Sequence, residues 1–599
     1  MLPGFFTADI SRRIWETKYR FRGDDDDRTI EGTWRRIARA LAAVEKDPAE
    51  WEPRFYRALS GFKFLPGGRI QAGAGTGRRV TLFNCFVMGH IEDSIDGIFD
   101  ALKEGALTMQ QGGGVGYDFS TLRPHGTPAN AVGGVASGPV SFMRIWDAMC
   151  ATLLSTGARR GAMMATLRCD HPDILAFIEA KQTPGQLRNF NLSVLVSDDL
   201  VRAVESDAEW LLVFPTASDG GEKTIRPWSG SPEPVPCRIH RRVRARELWD
   251  RLMRATYDYA EPGVLFVDRI NRMNNLWYRE QISATNPCGE VPLPPYGACD
   301  LGSINLVPFV RDPFTDHASL DLDAIADAAR IAVRMLDNVI DVSRFPLQRQ
   351  AEMARGSRRI GLGLTGLADA FLMLGLQYAE PDARALAARV MQTICRTAYW
   401  SSIELARERN AFPFFEREPY LQGGFVSSLP AEIRDAIARH GIRNSHLTAI
   451  APTGTISILA NNVSSGIEPV YDFQYRRRVL ELDGTATEHV LTDYALERWR
   501  ALRGREPPPD NFVTALDLPP AAHVEMQAAL QLHVDNSISK TVNVPTDFPF
   551  ERFKDIYRYA FDRGLKGCTT FRRNPITGSV MESAMADAKL CCVPEREAD

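Results

Sequence analysis

Asn286-Pro287-Cys288-Gly289-Glu290, followed by Cys299 in Gly297-Ala298-Cys299-Asp300-Leu301-Gly302-Ser303, is the stretch from which the rest of this chain is read. It sets a thiol, a carboxylate and a carboxamide side by side, and Pro287 and Gly289 favour a tight loop. Such a loop can present a reactive sulfur with a base and a hydrogen-bond donor beside it. On the pentapeptide alone, a Cys packed as a small buried hydrophobe is an equal reading.

The surrounding chain has 599 residues, room for one large domain with appendages or for several ordinary ones. Apolar residues at 44% and charged residues at 24% describe an ordinary globular protein. A net charge of −4 provides no whole-molecule basic field, so nucleic acid is not an expected partner. An anionic ligand would need local devices such as helix N-termini. The apolar run at Met1–Phe6 is too short for a signal peptide and is followed by Arg12, Arg13 and Lys18. No window of about 18 apolar residues suggests a membrane span. Ten scattered cysteines show neither a CxxC pair nor a Cys/His zinc spacing, so reduced thiols in a cytoplasmic protein are expected and no metal site is.

Ala8 to Arg20 and Thr33 to Glu45 carry helical periodicity, and Asp24 to Asp27 reads as a solvated acidic loop. Beyond about residue 80, strand-like runs such as Asn191–Val196 and Leu211–Phe214 alternate with helices such as Asp323–Val342 and Asp382–Arg407. That alternation predicts an α/β fold. Pro-rich loops run over 229–236 and 505–510, and no repeat of 20 to 50 residues is evident. Glycine-rich punctuation falls at Gln111–Gly116, Gly157–Gly161 and Pro452–Ser457.

In their order and spacing, several segments resemble the large catalytic chain of ribonucleotide reductases, and within it the adenosylcobalamin-dependent (class II) branch. They are Asn84-Cys85, Asp93-Ser94-Ile95, Gly112–Gly116, Arg160-Gly161-Ala162, Asn286–Glu290, Asp300–Leu306, Arg359–Gly363 and Pro452–Ser457. The resemblance implies a ten-stranded α/β barrel with a central finger loop over residues 76–573. An N-terminal helical region over 1–75 and a flexible tail over 574–599 would flank it. It implies reduction of ribonucleoside diphosphates to deoxyribonucleotides, DNA precursors, by a thiyl radical.

The chemistry accounts for the residue types. Replacing a ribose 2′-OH by hydrogen starts with breaking the 3′ C–H bond, which a sulfur radical can do reversibly. By resemblance Cys288 carries that radical, Glu290 is the general base for the 3′-OH, and Asn286 orients the substrate. Cys85 and Cys299 would supply two electrons and end as a disulfide. Pro452, Thr453, Gly454, Thr455, Ile456 and Ser457 resemble the substrate phosphate cradle, although Ser and Thr there also suit a simple N-capping turn. Asp93 and Ser94 resemble the segment that binds a dNTP or ATP effector. Arg123–Gly138 and Gly157–Met164 resemble the family's two mobile loops, with Arg123 as an effector-site residue and Arg159 and Arg160 as contacts to substrate base or phosphate, although an Arg in a loop is also read as simply solvated.

Class I chains carry paired tyrosines where this sequence has Cys568, Thr569 and Thr570. The radical is therefore expected from adenosylcobalamin rather than from a separate metal subunit. No Asp-x-His-x-x-Gly signature is present, and no cobalamin contact is assigned from sequence. Too few residues precede the barrel for an extra ATP-binding regulatory module, so on/off control by dATP is not expected. Cys591-Cys592 in the tail are adjacent rather than spaced, either a redox shuttle for the active-site disulfide or incidental thiols. The expected partners are thioredoxin or a similar dithiol and a second copy of the chain in a homodimer. A class I-type large chain and a non-catalytic nucleotide-binding regulator are the alternatives. The tyrosine-free segment argues against the first, and the intact Cys85, Asn286, Cys288, Glu290 and Cys299 set against the second.

Overall fold

Met163–Arg168 (MMATLR) and Phe190–Val196 (FNLSVLV) are nearly continuous apolar runs, as expected of parallel strands covered on both faces. In the computed structural model they stand in the wall of a barrel. Described are residues 5–23, 27–129, 134–155, 159–160, 162–183, 185–217, 220–480, 486–573 and 581–583. In chain order the wall strands are β1 (Cys85–Val87), β2 (Gly114–Asp118), β3 (Met163–Arg168), β4 (Phe190–Val196) and β5 (Gly263–Phe266). They continue as β6 (Ala298–Asn305), β7 (Ile360–Thr365), β8 (Thr541–Val544) and β9 (Gly567–Arg572).

β1 to β5 run parallel in sequence order. β6 pairs in parallel with β7, and β8 with β9. The gap between β7 and β8 is filled by residues 447–450, through parallel bridges Leu362–Thr448 and Ile450–Ile538. Leu362 N donates to Leu447 O at 2.8 Å and Ser539 N to Ile450 O at 2.9 Å. Two parallel halves therefore meet antiparallel at two seams, β1 against β6 and β5 against β9, and the ring closes. Closure leaves the wall without free edges.

Parallel strands need long crossovers. Helices such as Ile95–Gln110, Ala245–Tyr259, Leu322–Val342 and Pro381–Arg409 provide them and cover the outside. The hairpin Ala284–Thr285/Pro292–Leu293 lies inside, as the finger. Gly116 on β2 makes room for it, because a Cβ there would collide with the Thr285 carbonyl. Gly363 on β7 likewise lets the Ala449 carbonyl approach.

The N-terminal helices Asp9–Ile14, Ile30–Ala42 and Pro48–Leu59 pack on the barrel around Trp34 and Phe62. Ser11 Oγ donates to Ile458 O at 2.6 Å, tying this region to the helix Gly454–Leu459. Glu45 is buried against the barrel helices, accepting from Arg334, Asn338 and Arg409. The acidic run Asp24–Asp27 departs from the expected solvated loop at its last residue. Asp27 is not solvated but buried, accepting from Thr33 Oγ1 at 2.7 Å and pairing with Arg36 at 2.9 Å. Burying that carboxylate is tolerable only because its charge and lone pairs are matched. No helix among the described residues is long and apolar enough to cross a membrane.

Candidate active site

The finger loop folds on its own carboxamide. Asn286 N donates to Val291 O at 3.2 Å, Val291 N to Asn286 Oδ1 at 3.0 Å, and Gly289 N to Asn286 O at 3.1 Å. Gly289 supplies the left-handed φ of +81° that this turn requires. Thus the carboxamide that sequence reasoning gave to the substrate also holds the loop that carries Cys288 and Glu290.

The structure brings four of the five catalytic candidates into direct register or contact. Cys85 on β1 stands opposite Cys299 on β6. Asn286 Nδ2 donates to Cys85 Sγ at 3.2 Å, and Cys85 Sγ lies 4.0 Å from Glu290 Oε1. Cys288 is half-buried at the tip of the loop. The eight described cysteines are all thiols without disulfides. Residues Cys591 and Cys592 lie outside the described residues.

The electrostatics suit hydrogen and proton transfer. Burial pushes the Glu290 carboxyl up to about 7, against the hydrogen bond from Asn286. Its Oε2 is buried with no hydrogen-bond partner among the described residues. An acceptor so placed has room for one more donor, such as a hydroxyl. Burial also raises the Cys85 and Cys299 thiols well above the ordinary thiol range, with Glu290 adding to the rise at Cys85 and Asp300 at Cys299. Both therefore rest as S–H and have hydrogen to give.

At the phosphate-cradle candidate, Thr453 takes the left-handed conformation, φ +53°, ahead of the helix Gly454–Leu459. Its hydroxyl makes no N-cap bond. Instead it accepts from Gly466 N at 2.8 Å and meets Thr365 Oγ1 at 2.9 Å. Thr453 thus stands at the N-cap position without capping through its side chain, which is tied instead to the end of β7. Ser457 Oγ lies 3.0 Å from Ser465 Oγ. What the segment offers a phosphate is the amide end of the helix more than the Thr453 side chain.

Of the effector candidates, Asp93 and Arg123 are joined: Arg123 Nε donates to Asp93 Oδ2 at 2.6 Å and Arg123 N to Asp93 Oδ1 at 3.1 Å. Ser94 caps the helix Ile95–Gln110 by accepting from Gly97 N at 3.0 Å. Arg159–Arg160 form a short strand against Leu154–Ser155, and their side chains lie outside the described residues.

Sequence reasoning missed the supports. Asn191 on β4 donates to the Pro287 carbonyl at 2.7 Å, and Ser537 N donates to the Glu290 carbonyl at 2.9 Å. Asn191 left only one trace, a polar residue interrupting an apolar strand.

A closed barrel of two antiparallel halves with a thiol-bearing finger defines a class, and comparison with known proteins agrees. Residues 83–571 match the ribonucleotide reductase barrel domain and residues 5–79 the ribonucleotide reductase all-alpha domain. The chain belongs to the ribonucleotide reductase family. It is 38% identical, over 94% of its length and 79% of the relative's, to the vitamin B12-dependent ribonucleoside-diphosphate reductase of Mycobacterium tuberculosis (strain CDC 1551 / Oshkosh). The Thermoplasma acidophilum protein of the same name is 35% identical over 94% of this chain and 70% of its own. The ribonucleoside-diphosphate reductase subunit alpha of Chlamydia muridarum is 26% identical over 95% of this chain and 59% of its own.

Proposed function

We propose that this chain reduces ribonucleoside diphosphates to 2′-deoxyribonucleotides by an adenosylcobalamin-initiated thiyl-radical mechanism. The observation that carries it is the meeting of Cys85, Cys299, Asn286 and Glu290 around the finger that bears Cys288.

Cys288 abstracts the 3′ hydrogen, and Glu290 takes the 3′-OH proton through its unpartnered oxygen. Asn286 fixes the loop and donates beside Cys85. The 2′-OH leaves as water with a proton from one of the Cys85 and Cys299 thiols, the hydrogen of the other goes to the 2′ carbon, and the two sulfurs, having given up two electrons, join as a disulfide. Glu290 then gives its proton back to the 3′ oxygen, and Cys288 returns the hydrogen to the 3′ carbon. A dithiol reductant must reopen the disulfide before the next turnover; thioredoxin is the proposed one.

The lumen wall fits the cofactor's nucleoside end. Gly263 presents no side chain between Ser193 Oγ and Thr569 Oγ1, 3.4 and 3.3 Å from where its Cβ would lie. Thr570 turns outward to Tyr557, leaving Thr569 exposed to the lumen. Ser193, Gly263 and Thr569 would hold the adenosyl group. Adenosylcobalamin, when bound, supplies the carbon radical that takes the Cys288 hydrogen.

The phosphate is assigned to the Pro452–Ser457 segment, and a dNTP or ATP effector to Asp93, Ser94, Arg123, Arg159 and Arg160. Ile95 and Phe99, 61% and 49% exposed on the helix that Ser94 caps, favour a homodimer through that helix. An anaerobic assay with CDP, an effector nucleotide and a dithiol, with and without adenosylcobalamin, tests the function. Deoxycytidine diphosphate forming only with the cofactor is expected; none forming with it overturns the reading.

A further inference from the structure

Between Pro287 and Gly289, the direction of the Cys288 side chain depends on one peptide plane. The Pro287 ring fixes its own φ, and Gly289 on the other flank tolerates almost any backbone conformation. What remains is rotation of the Pro287–Cys288 plane, which would swing the sulfur through the lumen. Asn191 opposes that rotation, because its Nδ2 donates to the Pro287 carbonyl at 2.7 Å.

The other anchors act elsewhere on the finger. Ser537 N holds the Glu290 carbonyl, Thr166 Oγ1 holds the Ser283 carbonyl at 2.7 Å, and the Asn286 bonds stay within the loop and to Cys85. Asn191 is placed for this by strand alternation. Phe190, Leu192 and Val194 point into the main core, while Asn191 and Ser193 face the lumen. It pairs with Met164 on β3, so its backbone is fixed by the wall.

We propose that Asn191 is a positioning residue for Cys288, its carboxamide locking the Pro287–Cys288 peptide plane and so the direction of the reacting sulfur. The inference rests on Cys288 being the hydrogen-abstracting thiol. Asn191 touches neither substrate nor the reacting atoms in this role. A sulfur misaimed by about 1 Å costs roughly 100-fold in rate.

The test compares the full-length wild type with Asn191→Ala and Asn191→Leu, the latter filling similar space without a donor. With cofactor, both variants are expected to lose about 100-fold in kcat while KM for CDP stays within about twofold. In the cofactor-free protein, the rate of Cys288 alkylation by iodoacetamide, followed by peptide mass spectrometry, is expected to change at least about tenfold. Cys85 and Cys299 should keep their wild-type rates, which separates a local change from misfolding. Wild-type kcat and wild-type Cys288 alkylation in Asn191→Leu would overturn the proposal, as would equal changes at all three cysteines. If the wild type makes no deoxynucleotide, the functional reading falls, and the alkylation arm still judges Asn191.

Discussion

Cys85 and Cys299 stand directly opposite each other in antiparallel register across one of the two seams of the barrel. Opposed residues in antiparallel strands have Cα atoms about 4.5–5.5 Å apart, within the span a disulfide bridges. The seam therefore accommodates both redox states with little backbone movement. One turnover without external reductant should consume two thiols per active chain, both at these positions. Cys85→Ser and Cys299→Ser should each reduce dithiol-coupled turnover by at least about 1,000-fold, as for residues acting as a unit. Mass spectrometry of the alkylated protein checks the first expectation and a steady-state assay the second.

Glu290 sets an acid limb on the rate. Burial raises its carboxyl to about 7, so the ionised base is present above that pH and lost below it. kcat should fall as pH drops through about 7, and Glu290→Gln should lower kcat by about 100- to 10,000-fold. The same residue lowers stability. A carboxyl whose folded pKa exceeds its unfolded one binds its proton more tightly when folded, so stability declines as pH rises from about 4.5 to 7. Glu290→Gln should therefore stabilise the cofactor-free protein at pH 8 by on the order of 3 kcal/mol, measured by urea denaturation.

Glu45 behaves in the opposite sense. Burial would raise its carboxyl, but hydrogen bonds from Arg334, Asn338 and Arg409 outweigh it and hold the group down at about 2. Its stabilisation is complete above about pH 4.5 and lost as pH falls toward 2. Glu45→Ala should cost about 3–5 kcal/mol at neutral pH by leaving Arg334 and Arg409 without their shared partner. The loss should show in thermal melts, and its size should shrink steadily between pH 4.5 and 3.

Asp300 follows Cys299 on β6, fully buried, and among the described residues neither carboxyl oxygen has a hydrogen-bond partner beyond its own residue. Burial raises this carboxyl well above the carboxylate range, with the Asp337 charge adding to the effect. A raised pKa means stability lost as pH climbs above the unfolded value near 4. Asp300→Asn keeps the shape and removes the ionisation. It should raise the denaturation midpoint at pH 7 and leave it unchanged below pH 4.

The finger and its chemistry were legible because they sit in one contiguous segment, Asn286–Glu290. The pairing of Cys85 with Cys299 was accessible only through family resemblance, since strand register depends on the whole ring. Residues 447–450 close that ring through two single bridges, too few to leave a strand pattern in sequence. Asp27 was misread because a run of acids looks solvated until Arg36 and Thr33 are brought to it by the fold. Thr453 was read as a ligand donor or cap. The close approach of Thr365 and Gly466, both distant in sequence, turns its hydroxyl inward.

Placing the thiol pair on a seam has a mechanical consequence. In the reduced state the two halves are joined there by backbone hydrogen bonds and packing alone. A disulfide at this point would staple them covalently and close a loop of more than 200 residues, restricting the unfolded chain. Each catalytic cycle would then alternate the barrel between a stapled and an unstapled form. Resistance to unfolding would become a clock of the redox state, highest just after product forms and lowest when the enzyme is ready to begin again.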